Sequence, residues 1–267
     1  MKTIIAGTDF TESSVNACRY AAFLAQKLNC KLVLFNLFKA PIIHSNMGLY
    51  GISFYIERAE SKKNTDDLTK DLLKSFPKVK IETFLGYGSF SGELKKFIKA
   101  HQIEAVVMGL EAKNKLSKFI FGSHGVKLAG KIVAPVIIVP QNYNVHRLFE
   151  ILLAVDNQEK LHKTSLSKFE NFIKMLNVKL DILHVRTPEE IFPPVIDKIK
   201  INRIDKSIII HKAKNLENGI RNFYKENNVD MITIINKHHS AFYNLFSESN
   251  TKKIAFSAKV PVMAIHE

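Results

Sequence analysis

Residues 4–25 read IIAGTDFTESSVNACRYAAFLA, a short apolar run that ends in an aspartate and passes at once into a different pattern. The run Ile4 to Ala6, closed by Gly7, is too short for a helix and reads as a buried strand. Val15, Cys18, Ala22 and Ala25 then recur at three- and four-residue spacing, the mark of a helix with one buried face. A second apolar run, Leu32 to Phe38, follows, and the whole is a βαβ unit.

The unit occurs twice. Ile151 to Asp156 repeats the first strand and its aspartate, 147 positions on from Asp9; Leu166, Phe169, Ile173 and Leu176 repeat the helix, and Leu180 to Val185 the second strand. Further along the offset falls to 126: Glu104 to Met108 answers to Asp230 to Ile234, and Ala134 to Val139 to Val260 to Ile265. The deficit lies between the second and third strands of the second copy. There the first copy carries a long helical stretch from about Phe54 to Phe76, and the second only Thr187 to Arg203, interrupted by Pro188, Pro193 and Pro194. Strands alternating with helices predict an α/β protein of two tandem domains, residues 1–140 and 148–267, with the polar segment Gln141 to Arg147 between them. Each is read as a five-stranded parallel sheet with four helices on its two faces. The apolar last strands, Val136 to Val139 and Val262 to Ile265, are the candidates to pair and join the halves into an intramolecular pseudo-dimer.

Composition excludes several classes. The 267 residues are 46% hydrophobic, enough for substantial cores, yet hold no run of eighteen apolar residues, and Asp9 interrupts any signal-peptide core; the expectation is a cytoplasmic protein without membrane insertion. Two cysteines, Cys18 and Cys30, the first on the buried face of the first helix, argue for reduced thiols. The net charge of +14 comes from lysines spread along the whole chain with no run of five basic residues, so nucleic-acid binding is disfavoured.

In folds of this kind ligands bind beyond the carboxyl ends of the strands, where strand order reverses. Asp9 and Gly109 are both predicted there. Gly122-Ser123 stands thirteen residues after Gly109, just before an apolar helix marked by Val126, Leu128, Ala129 and Ile132. A helix start offers free N–H groups to an anion, and glycine lets its backbone approach, so a phosphate would fit; a plain loop with Ser123 as helix cap would fit the same residues.

The frame TDFTESS after the first strand, VVMGLEA at the fourth, FGSHG and APVIIVP resembles the universal stress protein family across almost the whole chain, and the C-terminal HHSAFYNLFSESNTKKIAFSAKVPVMAIHE resembles the ends of tandem members of a Bacteroidetes-like type. The resemblance implies a Rossmann-like fold of the adenine nucleotide alpha hydrolase type, a dimeric or duplicated arrangement, and in many members ATP binding through a motif G-x2-G-x9-G-[ST]. Carried over, it makes Gly109 the first glycine, Gly122 the third and Ser123 the hydroxyl residue. It sets Thr8, Asp9 and Leu37 around the adenine, Met108 beside the ribose, and the backbone of His124 on the phosphates. Ala112 stands where the second glycine should be. Should that backbone need a positive φ, alanine costs on the order of 1 kcal/mol, roughly a fivefold loss of affinity. Glu111 adds a negative charge that Lys113 and Lys115 partly offset.

The expectation is therefore a stress-response regulator that binds an adenine nucleotide, ATP with magnesium, in the first domain, and acts through a downstream protein, with association of two tandem chains open. In the second copy Gly109, Ala112, Gly122 and Ser123 become Ile235, His238, Glu248 and Ser249. A carboxylate at the helix start repels phosphate, so no nucleotide is expected there. The alternative is an interaction module in which both crevices are structural or hold another small ligand. No G-x-S-x-G elbow and no Walker loop occurs, so catalysis is not expected. Adjacent His238 and His239 cannot readily present two ligands to one metal, and no metal is expected, although His184, His211 and His266 also fall near strand ends of the second copy.

Overall fold

The computed structural model describes residues 2–38, 47–110, 132, 134–145, 147–155, 163–188, 198–201, 204–236 and 258–266. In the first half these form β1 (Thr3–Gly7), α1 (Glu12–Leu28), β2 (Lys31–Phe38), α2 (Met47–Ser75), β3 (Ile81–Tyr87), α3 (Phe90–Ala100), β4 (Ile103–Leu110) and β5 (Val136–Pro140). The second half gives β6 (Glu150–Val155), α4 (Lys163–Leu176), β7 (Lys179–Arg186), β8 (Lys198–Ile201), β9 (Ile204–Ser207), β10 (Ile209–Lys212), α5 (Leu216–Glu226), β11 (Met231–Asn236) and β12 (Val262–His266).

The strands make one ten-stranded sheet in the order β10-β7-β6-β11-β12-β5-β4-β1-β2-β3. Within each half the pairing is parallel and the order reverses beside the first strand, between β1 and β4 and again between β6 and β11. The halves join where β5 and β12 pair antiparallel, Val262 against Ile138, Met263 against Ile137 and Ala264 against Val136. The predicted pairing of the last strands is thus found, and one continuous sheet runs through the molecule.

Local chemistry explains the elements. Thr11 caps α1 by accepting the Ser14 N–H, Glu12 complements the dipole, and Asn29 ends the helix in the left-handed region at φ 50°. Ser89 and Asn215 cap α3 and α5 in the same way. Cys18, Ala22 and Ala25 lie fully buried beneath α1, and Phe169, Ile173 and Leu176 beneath α4, as their spacing predicts. Helices α1 and α4 pack on the same face and meet each other, so a single apolar core spans both halves from Ile4 and Leu34 to Leu153 and Met263. The opposite face carries two separate cores, one under α3, which takes in Ala264 from across the seam, and one under α5.

The shorter stretch of the second half is read from the sequence as missing the long helix, and strands are not expected there. The second half holds no counterpart of α2 among the described residues; Lys198–Ile201 and Ile204–Ser207 form an antiparallel hairpin there. Lysine alternates with isoleucine along β8, a period-two pattern that suits a strand, and the prolines upstream interrupt a helix. The linker is tied down as well. Asn16 Nδ2 of α1 lies 3.1, 3.1 and 2.9 Å from the carbonyls of Pro140, Gln141 and Tyr143, and the Tyr143 ring meets Tyr20 edge-on at 5.8 Å. Arg147 then pairs with buried Asp230 at 3.1 Å.

Candidate nucleotide-binding site

The carboxyl ends of β1 and β4, where the sequence predicts a crevice, lie side by side in the sheet. Thr8 prolongs β1 by one ladder bond, its N–H donating to the Phe35 carbonyl at 3.0 Å. Phe10 then takes a positive φ of 64° and turns the chain into α1. The polar side chains of the turn bond to one another and to its backbone. Asp9 Oδ1 accepts from the Thr11 N–H at 3.2 Å and the Thr11 hydroxyl at 2.6 Å. The Ser14 hydroxyl donates to the Thr11 carbonyl at 3.0 Å, so it accepts from the Asp9 N–H at 3.3 Å and from the Thr8 hydroxyl at 3.2 Å. The Thr8 hydroxyl in turn accepts the Phe10 N–H at 3.1 Å. Among the described residues Asp9 Oδ2 has no hydrogen-bond partner, and Asp9 is half-buried.

Strand alternation sorts the remaining candidates onto two faces. Met108 is fully buried on the α3 side, so close to β1 that a β carbon on Gly7 would meet its Sδ at 2.7 Å. Leu37, half-buried, packs on the same side against the core that contains Phe35 and Met108. Thr8 and Gly109 belong to the α1 side. Gly109 faces protein: a β carbon there would lie 2.3 Å from the Ser13 carbonyl oxygen. The structure thus brings Thr8, Asp9 and Gly109 to neighbouring strand ends and sets Leu37 and Met108 behind them across the sheet. Ala112, Gly122, Ser123 and His124, the helix expected after Ser123, and Glu111 lie outside the described residues, as do Asp156, His238 and His239.

Sequence reading missed the groups that hold this turn. Asn36, 3% exposed in the otherwise apolar β2, donates from Nδ2 to the Thr8 carbonyl at 2.8 Å. Its Oδ1 accepts from the Ser61 hydroxyl of α2. The signal was a single amide inside LVLFNLF. The same position in β7 holds His184, buried, with Nδ1 3.2 Å from the Val155 carbonyl. His184 is therefore a strand residue that braces β6. Cys18, beneath the Thr8 turn, has its thiol pushed up to about 12 by burial, against the opposing pull of a hydrogen bond with Thr8. Both cysteines are free and buried, as expected. Among the described residues no group of three potential metal ligands occurs, and no helix is long and apolar enough to cross a membrane.

A doubly wound sheet doubled by an antiparallel seam defines a tandem α/β protein. The family model described as "Universal stress protein family" matches residues 1–140, and the chain belongs to that family. No curated protein matches. The fold is similar to that of a universal stress protein from Archaeoglobus fulgidus DSM 4304, with a TM-score of 0.71 at 17% identity over 99% of this chain and 98% of that one. It is also similar to a Pseudomonas aeruginosa UCBPP-PA14 protein described as a universal stress protein, with a TM-score of 0.57 at 11% identity over 99% and 92%.

Proposed function

We propose that this universal stress protein is a cytoplasmic stress-response regulator that binds an adenine nucleotide, ATP with magnesium, in its first half, and that its second half binds none. The observation that carries the reading is the Thr8–Asp9 turn beside Gly109 at the reversal of strand order, with one Asp9 oxygen unengaged among the described residues and able to accept from a nucleoside. Binding without turnover is the proposed activity, and occupancy would bias a surface read by a downstream protein. In the second half Ile235 replaces Gly109, and its side chain is buried in the core.

The test is the thermal midpoint of nucleotide-free protein with and without about 1 mM Mg-ATP. A dissociation constant of about 10 μM would stabilise the fold by about 2.7 kcal/mol and raise the midpoint by several degrees. Asp9→Ala and Gly122→Glu are expected to abolish the rise. An unchanged midpoint in the wild-type protein would overturn the reading.

A second reading has its own observation. The close approach of Ser13 accounts for Gly109, and the Asp9 bonds to Thr11 account for an aspartate, without any ligand. On that reading the crevice is structural and the protein is an interaction module. The double variant Glu111→Gln with Ala112→Gly separates the two: it creates ATP binding in a relic site and adds little to a working one.

A further inference from the structure

Asn36 does more than fill space. The Thr8 carbonyl and the Asp9 N–H are the two ends of one peptide plane. Asn36 Nδ2 holds the first from β2 at 2.8 Å, and Ser14 Oγ holds the second from α1 at 3.3 Å. The plane from which the Asp9 side chain departs is therefore fixed from both sides. The amide orientation is dictated, because a carbonyl can only accept: Nδ2 must face Thr8, which leaves Oδ1 for the Ser61 hydroxyl. The chain of bonds continues into α2, where buried Thr65 donates to the Ser61 carbonyl at 2.6 Å.

Burying polar groups in this way is costly unless each is paired, and an apolar residue at position 36 would avoid that cost. The second half keeps the contact with a different side chain. His184 holds the carbonyl of Val155, which precedes Asp156 as Thr8 precedes Asp9. Among the described residues the chain after β7 shows the β8–β9 hairpin, where the chain after β2 forms α2. Bracing the strand end is thus common to both halves, and in the first half the brace is linked through Ser61 into α2.

We propose that Asn36 is a positioning residue of the nucleotide site, with Ser61 fixing its amide, so that occupancy at Asp9 and the packing of α2 are coupled. The proposal rests on the nucleotide reading above. Coupling is reciprocal: a nucleotide that needs the Thr8–Asp9 peptide in this orientation steadies α2, and loosening Ser61 weakens the nucleotide.

The full chain, stripped of nucleotide, is titrated with Mg-ATP by calorimetry as wild type, Asn36→Asp, Asn36→His and Ser61→Ala, and the unliganded thermal midpoint of each is recorded. Asn36→Asp sets an acceptor against the Thr8 carbonyl and is expected to weaken binding about tenfold or more. Ser61→Ala frees the amide to turn and is expected to cost about three- to fivefold. Asn36→His borrows the donor used at position 184 and restores affinity to within about threefold of wild type. A role in stability alone would move the midpoints and leave the dissociation constants together. As a second readout, ATP slows hydrogen exchange of α2 around residues 61–65 in the wild type and not in Ser61→Ala. If the wild type shows no saturable binding, the nucleotide reading falls and takes this proposal with it. If the wild type binds and both Asn36→Asp and Ser61→Ala bind as tightly, the positioning role alone is overturned. Should Asn36→Asp fail to fold, Ser61→Ala and Asn36→His carry the comparison.

Discussion

Gly109 at the end of β4 lies directly against the backbone of Ser13 in the first turn of α1, so that a β carbon on Gly109 would stand 2.3 Å from the Ser13 oxygen and 2.9 Å from the Ser14 nitrogen. Backbone cannot swing aside as a side chain does. Gly109→Ala is therefore expected to destabilise the fold by about 1–3 kcal/mol in the absence of any nucleotide, read from the midpoint of urea unfolding. A variant as stable as the wild type would show that α1 can lift from β4 at little cost. Ile235 stands at the corresponding position of the second half, with its side chain buried.

The β5–β12 seam is buried throughout: Val136, Ile137, Ile138, Val262, Met263 and Ala264 are each at most 1% exposed. One core crosses the seam beneath α1 and α4, so the halves are expected to unfold together. In hydrogen exchange the amides of Ile137 and Met263 should open with the same free energy, close to that of global unfolding. Exchange of one strand well before the other would mean two independent cores.

Asp230 anchors the start of β6. Its Oδ2 accepts from the N–H groups of Phe149 and Glu150 at 2.8 and 3.0 Å, and its Oδ1 pairs with Arg147. Asp230→Ala leaves two N–H groups without their acceptor and is expected to cost about 2–4 kcal/mol. Arg147→Ala removes a side chain that is 40% exposed and should cost about 1 kcal/mol or less. Equal losses in the two variants would show that the ion pair, and not the backbone acceptor, carries the anchor.

Burial raises the Cys18 thiol from 9.0 to about 12 and lifts the Tyr20 hydroxyl well above its ordinary value. A folded-state value raised in this way contributes stability that is complete below about pH 9 and is lost as pH climbs through about 12, because the unfolded chain then releases protons the folded chain keeps. Stability measured from pH 8 to about 11 is expected to fall, and to fall less steeply in Cys18→Ala. Parallel profiles would remove Cys18 from the cause. The same burial predicts that Cys18 resists iodoacetamide until the protein unfolds.

Much of the architecture was legible in the chain. IIAGTD and ILLAVD marked the two first strands because apolar runs closed by turn residues suit a buried parallel strand, and the three-to-four spacing of Phe169, Ile173 and Leu176 gave α4 its inward face. The hairpin β8–β9 was missed because KIKI has a period that shows only over four residues, beside prolines that read as loop. Asp9 and Gly109 could be placed at neighbouring strand ends because apolar runs mark where strands stop, whereas Thr8 came from the family resemblance. Asn36 and Ser61 were not, because one amide in an apolar strand and one serine in a helix carry no pattern until they meet across the sheet.

The sequence by itself determined the alternation of strands and helices and the duplication, since these follow from hydrophobic spacing and from the rule that parallel strands need a crossover. Only the tertiary structure decided which groups are used up by the protein itself. Ser13 stands 96 residues from Gly109 by number and 2.3 Å from its missing methyl group in space, and Asn36 reaches both Thr8 and Ser61. Such bonds and close contacts act over a few ångströms, whereas periodicity acts along the chain, and so the fold could be read from one and the bracing of the site only from the other.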